Sequence, residues 1–143
     1  MEDTISNRIN ADRRGVLSSL WIFVLFNMLF RDIHEFARPG WIEELMSMEV
    51  AEGLLLASGI VLSLFISMIV LNRVLPSTAA RWANAALAVV AIASMVANPP
   101  GDLDDIWFFV VEILALLAII GLAWTWRTDP AERSPDPVVA SET

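Results

Sequence analysis

Four uninterrupted apolar runs constrain this chain more than any other feature. A helix needs roughly 20 apolar residues to cross ~30 Å of hydrocarbon. Spans are expected at about 16–36, 50–71, 79–97 and 106–126. Strands of a transmembrane barrel would alternate apolar and polar residues, and these runs do not. Breakers fall between the spans: Pro39-Gly40, Pro76-Ser77, and Asn98-Pro99-Pro100-Gly101. Proline cannot continue a helix that needs its N–H. The expected fold is an all-α integral membrane protein, with four transmembrane helices in a bundle. Residues 1–15 form a polar N-terminal segment, 16–127 the membrane domain, and 128–143 a proline-containing polar tail expected to be disordered.

Composition agrees. Hydrophobic residues make up 57% of the 143, and mean hydropathy is +0.63. A soluble domain this short needs more polar cover. The first apolar run is too long for a signal h-region and lacks a small-residue cleavage site, so it reads as a retained span. No cysteine is present, which excludes disulfides and thiolate metal sites. All nine basic residues are arginine, and His34 is the single histidine. One histidine cannot supply paired haem ligands or a multi-histidine metal centre. Nothing implies a cofactor or a metal. The net charge of −8 argues against nucleic-acid binding, which needs a basic face. Arginine without lysine beside many alanines suggests a high-GC bacterial genome.

Arginines set the expected orientation. Arg8, Arg13, Arg14, Arg73, Arg81, Arg127 and Arg133 fall on one side, with only Arg31 and Arg38 opposite. Both termini are therefore expected in the cytoplasm, with the chain in a bacterial inner membrane. The opposite loops are acidic. Asp102, Asp104 and Asp105 lead the fourth span, where acids favour the positive dipole end. Thr78 is the expected N-cap of the third. Residues 41–48 have two readings: a short helix lying in the membrane interface between spans 1 and 2, or an extension of span 2.

Gly59, Ser63 and Ser67 recur every four residues along the second span, and Ala79 and Ala83 begin a similar face on the third. Such small-residue ladders let helix backbones approach closely. The seam could lie within one chain or between chains. Glu112 is the sharpest single residue. An ionised carboxylate two turns into a span is costly, so it must find partners, face the bundle interior or stay protonated. Asn27, midway along the first span, could meet it at similar depth, or bond a backbone carbonyl instead. Asn27, Arg31 and Glu35 make one polar line along a helix. Arg31 and Glu35 are four apart and can pair, and His34 can neighbour Arg38. Asp32, His34 and Glu35 could bind a ligand or move protons, since histidine titrates near neutral pH. The plainer reading is the polar lip of a span. Arg73, Arg81, Trp82 and Asn84 read as anchors at the cytoplasmic end.

LSSLWIFVLFNMLFRDI, PGW, SMIVLNRVLP, RWAN, FFVVEI and LAWTWR, in that order, resemble a family of small bacterial four-span membrane proteins, domain-of-unknown-function family 6326. The resemblance covers about Leu17 to Arg127. It implies that Trp21, Asn27, Asp32, Arg73, Arg81, Trp82, Asn84 and Glu112 match the family's recurrent polar and aromatic positions. The second span of the family often carries Glu-Ile-Pro where this chain has Ser63-Leu64-Phe65. Any two-carboxylate site would lack half its acids here. The family implies no activity.

Three functions follow as expectations. The first is a non-enzymatic bundle in the lipid bilayer, acting as a homo-oligomer or with a membrane-protein partner, and able to bind a lipid-like ligand. The second is a proton-coupled exporter using Glu112. The third is an outer-face enzyme using Asp32, His34 and Glu35.

Overall fold

A computed structural model describes residues 2–125, with side chains from 11 onward. The expected tail at 128–143, Arg127, Arg133 and Trp126 lie outside the described residues, as does the side chain of Arg8. The described chain forms α1 (Glu2–Ala37), α2 (Trp41–Ser47), α3 (Glu52–Val74), α4 (Ser77–Ala97) and α5 (Leu103–Trp124), with no strand among them. All but α2 hold a window long and apolar enough to span a membrane; in α1 it lies within Ala11–Ala37.

The boundaries follow local chemistry. α1 begins well before Val16, because no proline interrupts the chain until Pro39. Gly40 then takes φ 83°, a left-handed conformation that glycine adopts without strain, and α2 starts immediately after it. Met48 and Ala51 are extended. α2 is therefore a separate helix, and the reading of 41–48 as an extension of span 2 falls away. Leu75, preceding Pro76, is extended as its proline neighbour demands. Pro76 is the N-cap of α4, two residues ahead of the expected Thr78. Proline suits a helix start, where its missing N–H leaves no bond unmade. Asp102 caps α5 by accepting the Asp105 N–H at 3.1 Å, and Asp104 and Asp105 fill the first turn.

α1 packs against both α3 and α5, and α4 packs against α5. α3 and α4 touch only sparingly. The order around the bundle is therefore α3, α1, α5, α4. Ala80, Ala88 and Ala91 are buried on α4, where small side chains admit a close neighbour. The outward faces carry Phe26, Phe30, Leu54, Leu56 and Val70, all exposed. In water such a surface would aggregate; in a bilayer it meets lipid.

One end of the bundle holds the start of the α1 membrane window, the α3–α4 turn and the end of α5; we call it the terminal end. The other, holding α2 and the α4–α5 loop, is the loop end. The terminal end is tied by adjacent arginines. Arg13 donates to Thr125 O at 2.8 Å, past the last turn of α5. Arg14 donates to Leu75 O at 2.7 Å, Asn72 O at 3.1 Å and Ser77 Oγ at 3.2 Å. Both supply donors to carbonyls that a helix terminus leaves without intrahelical partners.

One turn deeper, Ser18 donates to Ile69 O at 3.0 Å. Next comes a buried polar chain whose direction is fixed by chemistry. The Trp21 indole can only donate, and it does so to Asn84 Oδ1 at 2.8 Å. Asn84 Nδ2 must then face the other way, and it donates to Asn72 Oδ1 and to Ala80 O. The Trp21 ring also stacks on Phe65, with centroids 5.4 Å apart. Three helices are thus joined by one amide. Asn84→Ala is expected to cost about 1–2 kcal/mol. Trp21→Phe keeps the stack, removes the N–H, and should cost about 1 kcal/mol. Because the bonds share Asn84, the double variant should lose less than the sum in thermal unfolding in detergent; strict additivity would show that the chain does not act as a unit.

Candidate functional site at the loop end

At the loop end, α1 turns a polar face toward α5. Asn27, Arg31 and Glu35 recur every four residues, so they stack along one side. Asn27 Nδ2 donates to Phe108 O at 3.0 Å, one turn before Glu112. Asn27 thus bonds a backbone carbonyl on a different helix, and its amide also lies beside the Glu112 carboxyl, so both expected placements hold. Arg31 Nη1 lies 3.3 Å from Glu112 Oε2. The Glu112 side chain is fully enclosed, and that of Arg31 is 24% exposed. The expected Arg31–Glu35 pair is replaced by this one. A fully enclosed carboxylate gains more from a guanidinium than one at the rim, because water screens the rim. Glu112 Oε1 accepts no hydrogen bond, an uncommon state for a buried oxygen.

Glu35 pairs instead with Arg38, at 3.2 Å, and Arg38 also approaches Glu44 of α2 at 3.7 Å. The Arg38 guanidinium lies over the Trp41 ring, 4.7 Å from its centroid. These contacts hold α2 against the end of α1. Between α1, α2 and the α4–α5 loop opens a mouth of about 350 Å³. Its polar lining is Arg31, Asp32, Glu35, Asn98 and Asp105, and its apolar lining includes Phe36, Trp41 and Leu45. Glu35 and Asp105 sit side by side there. No group of three or more acidic or histidine side chains is arranged to hold a metal ion among the described residues.

His34 does not join them. Its Nδ1 sits 2.9 Å from Phe30 O, and its ring packs against Phe108 at 5.2 Å. The structure therefore gathers Asp32 and Glu35 at the mouth, sets Glu112 beneath them behind Arg31, and leaves His34 outside the lining. No pairing of His34 with Arg38 forms among the described residues.

The other candidate residues lie elsewhere. Gly59, Ser63 and Ser67 are exposed on α3; Ala79 is exposed and Ala83 half-buried on α4. No helix among the described residues covers the α3 ladder. At the terminal end, Arg81 stands over Trp124 at 5.2 Å and near Trp82 at 6.0 Å, with the two indoles edge to face. Arg73 is exposed, whereas its neighbour Asn72 is buried. Arg14, Ser18, Asn72 and Ser77 carry tertiary bonds that sequence reasoning overlooked. Asn72 follows Phe65 by seven residues and Met68 by four, on the single buried face of α3, and that spacing was the available signal.

The sequence profile of a family of unknown function, DUF6326, matches residues 7–132. This chain belongs to DUF6326. The family resembled by LSSLWIFVLFNMLFRDI and RWAN is the family found. No curated protein matches the chain, and no solved structure does. In this DUF6326 member the matched segment takes in all four spans, the terminal latch and the acidic mouth.

The enclosed ion pair has a testable asymmetry. Breaking it with Arg31→Met leaves an enclosed carboxylate with the neutral Asn27 amide beside it and no countercharge, and should cost about 3 kcal/mol, the low end for a buried pair. Arg31→Met with Glu112→Leu removes both charges and should restore most of that loss. Thermal unfolding of the single and double variants in one detergent decides it; a double variant less stable than the single would refute the pairing energetics.

Proposed function

We propose that this DUF6326 member is a non-enzymatic membrane bundle that assembles with a second copy of itself through α3. The observation that carries this reading is the lopsided burial of α3. Its buried side chains are Phe65, Met68 and Asn72, all in the half nearer the terminal end. The loop-end half exposes Leu54, Leu55, Leu56 and Ile60. A shallow trough of about 480 Å³ runs along this face over Gly59, Ser63 and Ser67. A Cβ added at Gly59 would meet nothing within 4 Å.

The chemistry of the trough suits another helix. Ser63 donates to Gly59 O at 2.8 Å, and Ser67 to Ser63 O at 2.7 Å. Their hydroxyls are satisfied by their own helix, so the face asks nothing polar of a neighbour. Helices in lipid associate through close van der Waals packing, which small residues permit. A helix meeting its own copy across a two-fold axis presents the same trough from both sides. The arginine distribution supports both termini being cytoplasmic and the loop end facing outward, and the apolar face of the short α2 suits the interface of what we take to be a bacterial inner membrane.

Because the chain lacks cysteine, Ser63→Cys gives a clean cross-linking probe. Oxidation in membranes should produce a disulfide-linked dimer, while Val89→Cys, exposed on α4, should not. Ser63→Leu fills the trough and should shift the chain toward monomer by about tenfold in a nanodisc dilution series. Equal cross-linking at both positions, or an unchanged equilibrium, removes this reading.

A second reading keeps some support: a proton-coupled carrier. Glu112 Oε1 is buried without a hydrogen-bond donor, which leaves one oxygen for a proton or a substrate group. Glu112→Gln keeps the shape and removes the titratable group. If proteoliposomes of the wild type show pH-driven uptake of a hydrophobic cation, this variant should abolish it while retaining the dimer. The enzyme reading gains nothing from the geometry, since His34 stands apart from Asp32 and Glu35.

A further inference from the structure

Two cavities meet at Asp32. It lines the acidic mouth, and it also closes the upper end of a groove of about 530 Å³ between α1 and α3. The groove is otherwise apolar, walled by Leu25, Met28 and Leu29 from α1 and by Leu55, Leu62 and Ile66 from α3. Ser58 also faces it, but its hydroxyl already donates to Leu55 O at 2.8 Å. From Leu25 to Asp32 the groove follows about 10 Å of helix. It opens laterally toward lipid, since Leu29, Leu55, Leu62 and Ile66 are all exposed.

Asp32 is the unusual wall. Its carboxylate accepts no hydrogen bond and joins no ion pair among the described residues. The adjacent guanidinium of Arg31 is engaged by Glu112. On the mouth side, Glu35 and Asp105 add further negative charge. An apolar slot thus ends on a carboxylate with no hydrogen bond or ion pair of its own among the described residues, between the Arg31 guanidinium that Glu112 engages and the Asp105 carboxylate.

We propose that this slot binds a single-chain amphipathic cation, with its alkyl tail in the α1–α3 groove and a protonated amine at Asp32. Charge complementarity selects the head: a phosphate-bearing lipid would meet Asp32, Glu35 and Asp105 with like charge. The aromatic lining selects further. A quaternary ammonium is best held against several aromatic faces, but Trp41 is already covered by Arg38, which leaves Phe36 as the aromatic side chain in the mouth lining. Recognition therefore falls to the carboxylate, which rewards a head with N–H donors. The tail contributes burial in proportion to the methylenes it removes from water. This inference does not rest on self-assembly through α3, and the two are tested separately.

The experiment is native mass spectrometry and calorimetry on the full chain in phosphatidylcholine nanodiscs. The probes are dodecylammonium, dodecyltrimethylammonium and dodecyl sulfate. Dodecylammonium should bind saturably. The trimethyl analogue should bind about tenfold more weakly or worse, for want of N–H donors. Dodecyl sulfate should not compete. Asp32→Asn, an exposed change that leaves the core intact, should weaken dodecylammonium about tenfold. Leu62→Trp should plug the groove, and Ser63→Leu should leave binding unchanged. Equal binding of all three amphiphiles, or indifference to Asp32→Asn, would mean an ordinary lipid slot and overturns the proposal. So would a copy-to-copy disulfide formed through Leu62→Cys, which would make the occupant protein.

Discussion

The inward half of α1 organises the bundle. Arg14, Ser18, Trp21, Asn27 and Arg31 each reach a different place on the other helices: the α3–α4 turn, the α3 backbone, Asn84, the α5 backbone and Glu112. Apart from the Asn84–Asn72 bond, the Arg81–Trp124 contact and the Arg38 contacts with α2, the tertiary polar contacts named above start on α1. The bilayer explains why a few polar side chains can do this. Apolar side chains gain little by leaving lipid for one another, so hydrophobicity drives helices into the membrane without choosing their neighbours. A polar side chain in hydrocarbon has few places to go, and each place it finds fixes a rotation and a depth.

The two ends use that constraint differently. At the terminal end, arginine side chains reach carbonyls left over by α3 and α5, and Asn84 joins α1, α3 and α4. The bonds are short, and among the described residues Asn72 Nδ2 is the buried atom left without a partner there. At the loop end, the charge balance is reversed. Arg31 is drawn inward to Glu112, which leaves Asp32, Glu35 and Asp105 around an open mouth with Arg38 as their nearest remaining cation. The closed end reads as structure. The open end has the excess charge and the space that a ligand needs.

Much of the fold was legible in the sequence, for a physical reason. Lipid thickness demands a run length, and prolines and glycines mark where the runs stop, so four spans and their breakers stand out. Rotation of each helix about its axis is what the sequence hides. Adjacent residues on a helix point about 100° apart, and that separates exposed Arg73 from buried Asn72. The charge drew the attention, and the amide does the packing. Arg14 read only as a charge setting orientation, because a linear sequence does not show that the α3–α4 turn comes back to it. Arg31 was matched with Glu35 for the same reason: spacing along one helix reveals i and i+4 neighbours and is blind to a carboxylate 81 residues away. Glu112 itself was legible, since a carboxylate inside a hydrophobic run must be accommodated somehow. The Gly59–Ser63–Ser67 ladder was legible as a packing face but not by direction, because small residues look alike whether they face a partner helix or lipid.

The weak attachment of α3 links the remaining features. Phe65, Met68 and Asn72 hold its terminal half to the bundle, while its loop-end half buries nothing. That half is bounded by two depressions: the groove against α1 on one side and the small-residue trough on the other. Leu55 and Gly59 line both. A bulky side chain at position 59 would narrow the two at once. An alkyl tail along α1 and a second copy along the trough would therefore press on opposite flanks of the same two turns. Few buried contacts resist movement of those turns, whereas the polar chain from Trp21 to Asn72 fixes the helix below them. Displacement of α3 by either occupant is then confined to its loop-end half, next to the mouth where Asp32 stands.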